Sequence, residues 1–242
     1  MGVQTGYALI MQTLRKSDSR GATKTGWLDS RHTFSFGDYR DAAQMGFGAL
    51  RVINEDVVTG GAGFPAHSHS DMEIVTYMLR GALAHKDSMG SNGVIRPGEI
   101  QRMSAGTGVT HSEFNASKTD PAHFLQIWIM PSKRGIEPSY EQKLIDPDAM
   151  CNKLLRIAAS EPLETEVRLV QDAEIWAVRF DGEEEAVHRL QPGRKAWVHV
   201  ARGNIEVGGE RLSSGDALAI TDADTILVRA HRPSEVLLFD VV

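Results

Sequence analysis

Cysteine is almost missing from this 242-residue chain: Cys151 stands alone, so no disulfide can form within it. A single thiol fits a reducing compartment. Long apolar runs are missing too, and none approaches the roughly 18 residues a membrane-spanning helix needs. There is no basic tract. Lys and Arg number 26 against 32 Asp and Glu, a formal charge of −6, which argues against the electrostatic footprint of a nucleic-acid binder. The opening "MGVQTGYALI" has no cationic region and no cleavage-type site, so it does not read as a secretion signal. Gly6 stands where a myristoylation motif wants Ser or Thr. Met11 begins a more ordinary opening, and the ten residues before it are expected to be a frayed extension. The expectation is a cytoplasmic protein with no membrane anchor and no direct nucleic-acid contact.

Helical periodicity is scarce as well. What recurs instead is the short strand between glycine turns: "GFGALRVI", "EIVTYML", "FLQIWIM", "IWAVRF", "AWVHVA", "ILVRA" and "EVLLFDVV". The best helical candidates are "SYEQKLI" at 139–145 and short turns near "NKLLRIA". The fold class expected is all-β, as barrels or sandwiches with a few short helices.

Two passages share one design. "YMLRGALAHKDSMGSNGVIRPGEIQRMSAG" and "VHVARGNIEVGGERLSSGDALAITDAD" each run strand, Arg-Gly, strand, turn, then Gly-Glu or Gly-Asp opening another strand. Gly81 and Gly203 lie 122 positions apart, Gly98 and Gly215 117 apart, so the copies differ by a short loop. Self-similarity at half the chain length points to tandem duplication. The polar, proline-bearing stretch near 131–150 is the natural seam, giving domains 1–134 and 135–242.

The chemistry concentrates in the first copy. "GFPAHSHSDMEIVTYMLRG" carries His67 and His69 at i and i+2, which a strand presents on one face. "MSAGTGVTHSEFN" carries His111 and Glu113 at the same spacing. Two same-face pairs on two strands of one barrel can converge on a single ion. Three imidazoles and a carboxylate suit Fe(II), Mn, Ni, Co, Cu or Zn. Around an octahedral ion they leave about two positions open. Four solvated polar residues would be the plain alternative, but the flanks "GFPA" and "IVTYML" are apolar, and buried charge needs a partner.

"GAGFPAHSH", Glu73, a strand ending "RG", then "PGEI" and "GVTHSE" resemble the two motifs of the cupin superfamily. More narrowly, "GWLDSRHTFSFGDY", "MGFGALRVINED", "HSDMEIVTYMLRG", "HKDSMG", "MSAGTGVTHSE" and "QIWIMP" resemble the pirin family in its bacterial, quercetinase-type branch. The resemblance covers nearly the whole chain and is densest over residues 27–131. It implies a bicupin with one metal, most often iron, in the N-terminal barrel. The pirin ligand set falls on His67, His69, His111 and Glu113. Many other cupins use the first-motif glutamate, here Glu73, which shares parity with His67 and His69. The pirin pattern favours Glu113 and leaves Glu73 a supporting role. Ser68 stands where many relatives have proline, without altering the i, i+2 geometry.

In the second copy, counting back from Gly203 as His67 and His69 stand from Gly81 lands on Arg189 and Gln191. Neither is a credible ligand, so the second cupin is expected to be metal-free, with His188, His199 and His231 as core or surface histidines. His32 and His85 are expected to be hydrogen-bonded residues near the mouth or a turn, with a substrate-facing role for His32 the sharper alternative. Asp87 and Ser88 read as turn residues. Trp27, Phe34, Phe36 and Trp128 are candidates to line a flavonoid-sized pocket or to pack the core. Cys151 is expected to be inert.

The resemblance implies a metal-dependent dioxygenase similar to quercetin 2,3-dioxygenase, taking a flavonol or other small aromatic with O2 and releasing carbon monoxide. Glu113 would be ligand and, when displaced, general base, although a neighbouring cation lowers a carboxylate's basicity. The alternative is a metal- or redox-sensing pirin that regulates a protein partner. An open, aromatic-lined pocket over the metal separates the two. A non-redox cupin such as a sugar isomerase would be expected to bring a basic phosphate-binding cluster, and none is visible.

Overall fold

The computed structural model describes residues 11–242; the expected frayed extension before Met11 lies outside them. Eleven strands run as far as residue 129: β1 (Met11–Arg15), β2 (Gly21–Lys24), β3 (Leu28–His32), β4 (Leu50–Val58), β5 (Gly63–His69), β6 (Glu73–Arg80), β7 (Leu83–Asp87), β8 (Asn92–Ile95), β9 (Glu99–Ser104), β10 (Val109–Asn115) and β11 (Ala122–Ile129). Eleven more follow: β12 (Ser139–Leu144), β13 (Leu155–Ala159), β14 (Val167–Arg168), β15 (Ala173–Phe180), β16 (Glu183–Arg189), β17 (Lys195–Arg202), β18 (Asn204–Val207), β19 (Glu210–Ser213), β20 (Ala217–Thr221), β21 (Thr225–His231) and β22 (Ser234–Val241). Among the described residues no helix is long and apolar enough to cross a membrane.

The strands build two β-sandwich barrels of the cupin type. In the first, the sheet β12-β9-β6-β11-β4-β3-β2 faces the sheet β5-β10-β7-β8. In the second, β1-β20-β17-β22-β15-β13-β14 faces β16-β21-β18-β19. Two strands reach across the seam expected at 134/135. β1 pairs with β20 of the second barrel, and β12 pairs with β9 of the first.

The two larger sheets pack on each other. Phe34, Ile53, Val75, Tyr77 and Leu125 from one meet Ile175, Trp197, Leu237 and Phe239 from the other in a single apolar cluster. Phe34 and Trp197 touch ring to ring, 4.9 Å between centroids. This explains a feature of the sequence. "EIVTYML" and "EVLLFDVV" belong to strands buried on both faces and so read as continuous apolar runs. "VTHSEFN" lies in an outer sheet with one wet face and alternates.

The expectation of a few short helices is corrected. Among the described residues the helical content is one 3-10 turn, Ser17–Ser19. "SYEQKL" is strand β12, laid along β9 from Ser139↔Ser104 to Leu144↔Glu99. Part of "NKLLRIA" is strand β13, paired with β15. A six-residue segment cannot offset helix nucleation by itself, whereas an open sheet edge satisfies its backbone at once.

The duplication is visible in the backbone. Gly81 and Gly203 both adopt positive φ, 77° and 83°, at the turn after β6 and after β17. Gly98 and Gly215 match at 85° and 82°. The barrel interiors differ. The second holds one continuous apolar cluster, with Val198, Val200, Leu218, Val228 and Leu238. The first holds two separate apolar clusters, one around Met78 and Phe124 and one around Ile74 and Met103. Between them on β6 and β11 stand Thr76 and Gln126, hydrogen-bonded to each other at 2.8 Å. A barrel with a polar belt has room for a site.

Candidate metal centre

β5 and β10 are antiparallel neighbours, and His111 lies directly across from His67. The register slips between His111 and Glu113, so that Glu113 faces Phe64 on β5 and His85 on β7. Such a bulge re-aims the side chains beyond it. His67, His69 and His111 converge: ring centroids lie 4.8 Å apart for His67–His69, 4.4 Å for His67–His111 and 5.0 Å for His69–His111. One nitrogen from each lies within 4.8 Å of the others, and the same span joins His111, His85 and Glu113.

The tautomers follow from the hydrogen bonds. The Pro65 carbonyl, 2.8 Å away, accepts from His67 Nδ1 and leaves the lone pair on Nε2. His111 Nε2 is buried and has no hydrogen-bond partner. Burial, then the neighbouring imidazoles, lowers His111 to about 3 and His69 to about 4. His69 and His111 are therefore neutral and present lone pairs, the form in which imidazole binds a metal. An orphaned buried Nε2 on His111, with His67 and His69 converging on it, fits a divalent transition ion.

Glu113 is buried, and Gln126 Nε2 donates to both its oxygens at 3.2 and 3.0 Å. Burial pushes its carboxyl up to about 7, against the Gln126 hydrogen bond, and nearby Asp56 adds to the rise. Asp56 is itself buried and pushed up to about 7, chiefly by desolvation. His85 meets Asp87 at 3.0 Å through Nε2 and His111 at 3.5 Å through Nδ1, so both its nitrogens are engaged. Of the two overlapping clusters, the set His67, His69 and His111 is the one with lone pairs to spare.

Glu73 lies elsewhere. Its side chain accepts hydrogen bonds from Ser104 Oγ at 2.8 Å and from the Val170 amide at 3.2 Å, between the two barrels. Its parity with the histidines does not carry across the turn at 70–72, where Asp71 takes a φ of 49°.

A cavity of about 270 Å³ opens beside the cluster. His67, His69, Glu113 and Gln126 form one end, and Phe36, Phe64 and Trp128 supply aromatic walls. Phe36 and Trp128 meet edge to face at 5.3 Å, and Trp128 stands 5.0 Å from His69. Trp27 packs against Phe64 from behind at 5.2 Å, and Phe34 is in the inter-barrel core. His32 lines the cavity and is also hydrogen-bonded, to Thr23 and to Asn54, both at 2.9 Å. Gln126, Phe64 and Asp56 were not singled out by the sequence. Gln126 left a trace as the one polar residue inside "FLQIWIM".

The second barrel corrects the count that landed on Arg189 and Gln191. Leu83 pairs with Asn115, and its counterpart Ile205 pairs with Ala230. Four residues back from these lie His111 and Ile226, whose neighbours are His67 and His188. The positions matching His67, His111 and Glu113 are thus His188, Ile226 and Val228. The count missed because His188 stands seven residues before Lys195 where His67 stands six before Glu73. His188 is buried against Asp240 at 2.8 Å, His199 is buried, and His231 is exposed. The Cys151 thiol donates to Asp181 at 2.9 Å.

Residues 13–129 match the pirin family model, and residues 156–241 match that of the quercetinase C-terminal cupin domain. The chain is 46% identical over 228 residues to a quercetin 2,3-dioxygenase of Escherichia coli K12, covering 94% of this chain and 97% of that protein. It superposes on the crystal structure of YhhW from Escherichia coli with a TM-score of 0.92, at 44% identity, over 96% of this chain and 98% of that one. Bacterial pirin YhhW in complex with nickel(II) gives a TM-score of 0.90 at 44% identity, over 96% and 99% of the two chains.

Proposed function

The chain belongs to the pirin family, and from that premise we propose that it is a metal-dependent dioxygenase acting on flavonols in the manner of quercetin 2,3-dioxygenase. His67, His69, His111 and Glu113 would hold one divalent ion, Fe(II) in this reading. Nickel in a related pirin and the mixed nitrogen and oxygen donors keep the other first-row ions in play. A bound ion would supply Lewis-acid stabilisation of a deprotonated substrate hydroxyl.

The residues around it have separable tasks. Gln126, fixed by Thr76, holds both oxygens of Glu113 and sets the plane of the carboxylate. Glu113 would act as ligand first, since a cation at its oxygens draws its basicity down and leaves it a base only when displaced. Phe36, Phe64 and Trp128 offer flat faces to an aromatic ring and keep water from it. The overall change is ring opening of a flavonol by O2. The ring-opened ester and carbon monoxide together account for every atom of both reactants.

The observation that carries this reading is the aromatic-walled cavity lying against the histidine cluster. A redox sensor needs no such cavity. Its volume, about 270 Å³, is near the lower end of small-molecule sites, roughly 300 Å³. The test is oxygen uptake and carbon monoxide release on adding quercetin to anaerobically iron-loaded protein, beside His69→Ala and Glu113→Ala. Turnover abolished in both variants supports the reading; no uptake by fully loaded parent protein overturns it.

A further inference from the structure

The cavity holds a second carboxylate that no metal set claims. Asp56 stands on β4, across from Phe124 on β11 and Ser30 on β3, and only 4% of its surface is exposed. It lines the same cavity as His67, His69 and Glu113. Of the polar side chains near it, Ser30 on β3 reaches its carboxyl and favours the charged form, and the others are engaged elsewhere. Asn54, two residues back on the same face of β4, is bonded to His32, and His32 is bonded again to Thr23. Glu113 is taken by Gln126. Asp56 Oδ1 has no hydrogen-bond partner in the protein. Buried polar atoms are seldom left so in native structures, and each such atom calls for a partner.

We propose that Asp56 is the substrate anchor of this cavity, accepting a hydrogen bond from a ring hydroxyl of a hydroxylated aromatic ligand. The assignment rests on the reading of the cavity as the substrate site. The chemistry narrows the ligand group. A ligand seated against a metal cation is neutral or anionic, because a second cation there would be repelled. The donor it offers to Asp56 is then an O–H and not an ammonium. The walls are aromatic, so the hydroxyl is carried on a flat ring that packs against Phe36 and Trp128. Trp128 Nε1 also has no hydrogen-bond partner, which leaves a donor on the same wall. Asp56 touches the ligand at a hydroxyl and selects among aromatics by that group. Glu113 remains with the ion.

The test is a binding cycle on metal-loaded protein under anaerobic conditions. Quercetin and flavonols lacking one ring hydroxyl at a time are titrated against the parent, Asp56→Ala and Asp56→Asn. Metal content and melting temperature are measured on each variant to establish that it is folded. Asp56→Asn keeps the volume and removes the charge, so it serves if Asp56→Ala does not fold. At pH 8, above the value of about 7 to which burial raises Asp56, loss of one particular hydroxyl should weaken binding to the parent roughly ten- to hundred-fold, the scale of one hydrogen bond to a charged group. In Asp56→Ala that same loss should change binding by less than about threefold, and in Asp56→Asn, whose neutral amide oxygen still accepts, the penalty should shrink to about several-fold. A hydroxyl preference undiminished in both variants overturns the anchor, as does a parent that binds all the analogues equally. Asp56-dependent binding without oxygen uptake would sink the dioxygenase reading and leave the anchor standing. Uptake with Asp56-independent binding would do the reverse.

Discussion

The Nδ1 atoms of His85 and His111 lie 3.5 Å apart, while the far nitrogen of His85 meets Asp87 at 3.0 Å. The chain has one consistent direction. Asp87 accepts from His85 Nε2–H, His85 Nδ1 accepts from His111 Nδ1–H, and the lone pair of His111 is fixed on Nε2. Asp87, which read as a turn residue in the sequence, thus sets through His85 the tautomer of a proposed metal ligand.

Loss of that support should weaken the metal without unfolding the barrel. Replacing His85 by Phe, or Asp87 by Asn, is expected to lower metal affinity by roughly 10- to 100-fold, the usual effect of removing an outer-shell partner. Competition with a chromophoric chelator reads this directly. Affinity equal to the parent in both variants would show that His111 needs no such support.

Metal uptake at pH 6 should release a proton from Glu113. His69 and His111 are neutral well below that pH, at about 4 and about 3, whereas Glu113 titrates at about 7 and must give up its proton to bind a cation. Calorimetry in buffers of different ionisation enthalpy counts the proton, and Glu113→Gln should abolish it. The same shift acts on stability. A carboxyl raised from 4.5 to about 7 contributes stability in full below pH 4.5 and loses it as pH rises through 7. Metal-free Glu113→Gln should therefore gain on the metal-free parent between pH 4.5 and 7.

Glu73→Ala separates the two glutamates. With Ser104 and the Val170 amide deprived of their acceptor, unfolding free energy should fall by about 1–3 kcal/mol, measured in urea. Metal stoichiometry should be unchanged, because the carboxylate lies between the barrels. Loss of metal from this variant would bring Glu73 back as a ligand.

The repeated turns make a comparison of three glycines. A Cβ at Gly81 would stand 2.8 Å from the Pro121 carbonyl, and at Gly203 2.5 Å from that of Pro233. At Gly98 it would meet nothing within 4 Å. Gly98→Ala should show only the backbone strain of positive φ, about 1–2 kcal/mol. Gly81→Ala and Gly203→Ala should each cost more, as thermal melts will show.

What the sequence made legible was what is local. The i, i+2 pairs His67/His69 and His111/Glu113 needed only strand periodicity, and the Arg-Gly turns at 81 and 203 marked the duplication. What it hid depends on distant neighbours. Gln126 reaches Glu113 and Thr76 only when β6, β10 and β11 are folded together, and Asp56 is left over only because its neighbours are engaged. The strand at 139–144 was missed because an edge strand takes its order from β9 and carries no strong period of its own. The parity of Glu73 with His67 and His69 carried no weight because a turn lies between them, and the second barrel's count failed because its turn is one residue longer.

The most direct test of the account is anomalous diffraction from crystals of the metal-loaded protein, collected at the absorption edge of the bound metal. A single strong peak among His67, His69, His111 and Glu113, with His85 beyond bonding distance, is the expected result. A peak beside His188 and Asp240 in the second barrel, or one held by His85 and Glu113 with His67 and His69 free, would contradict it.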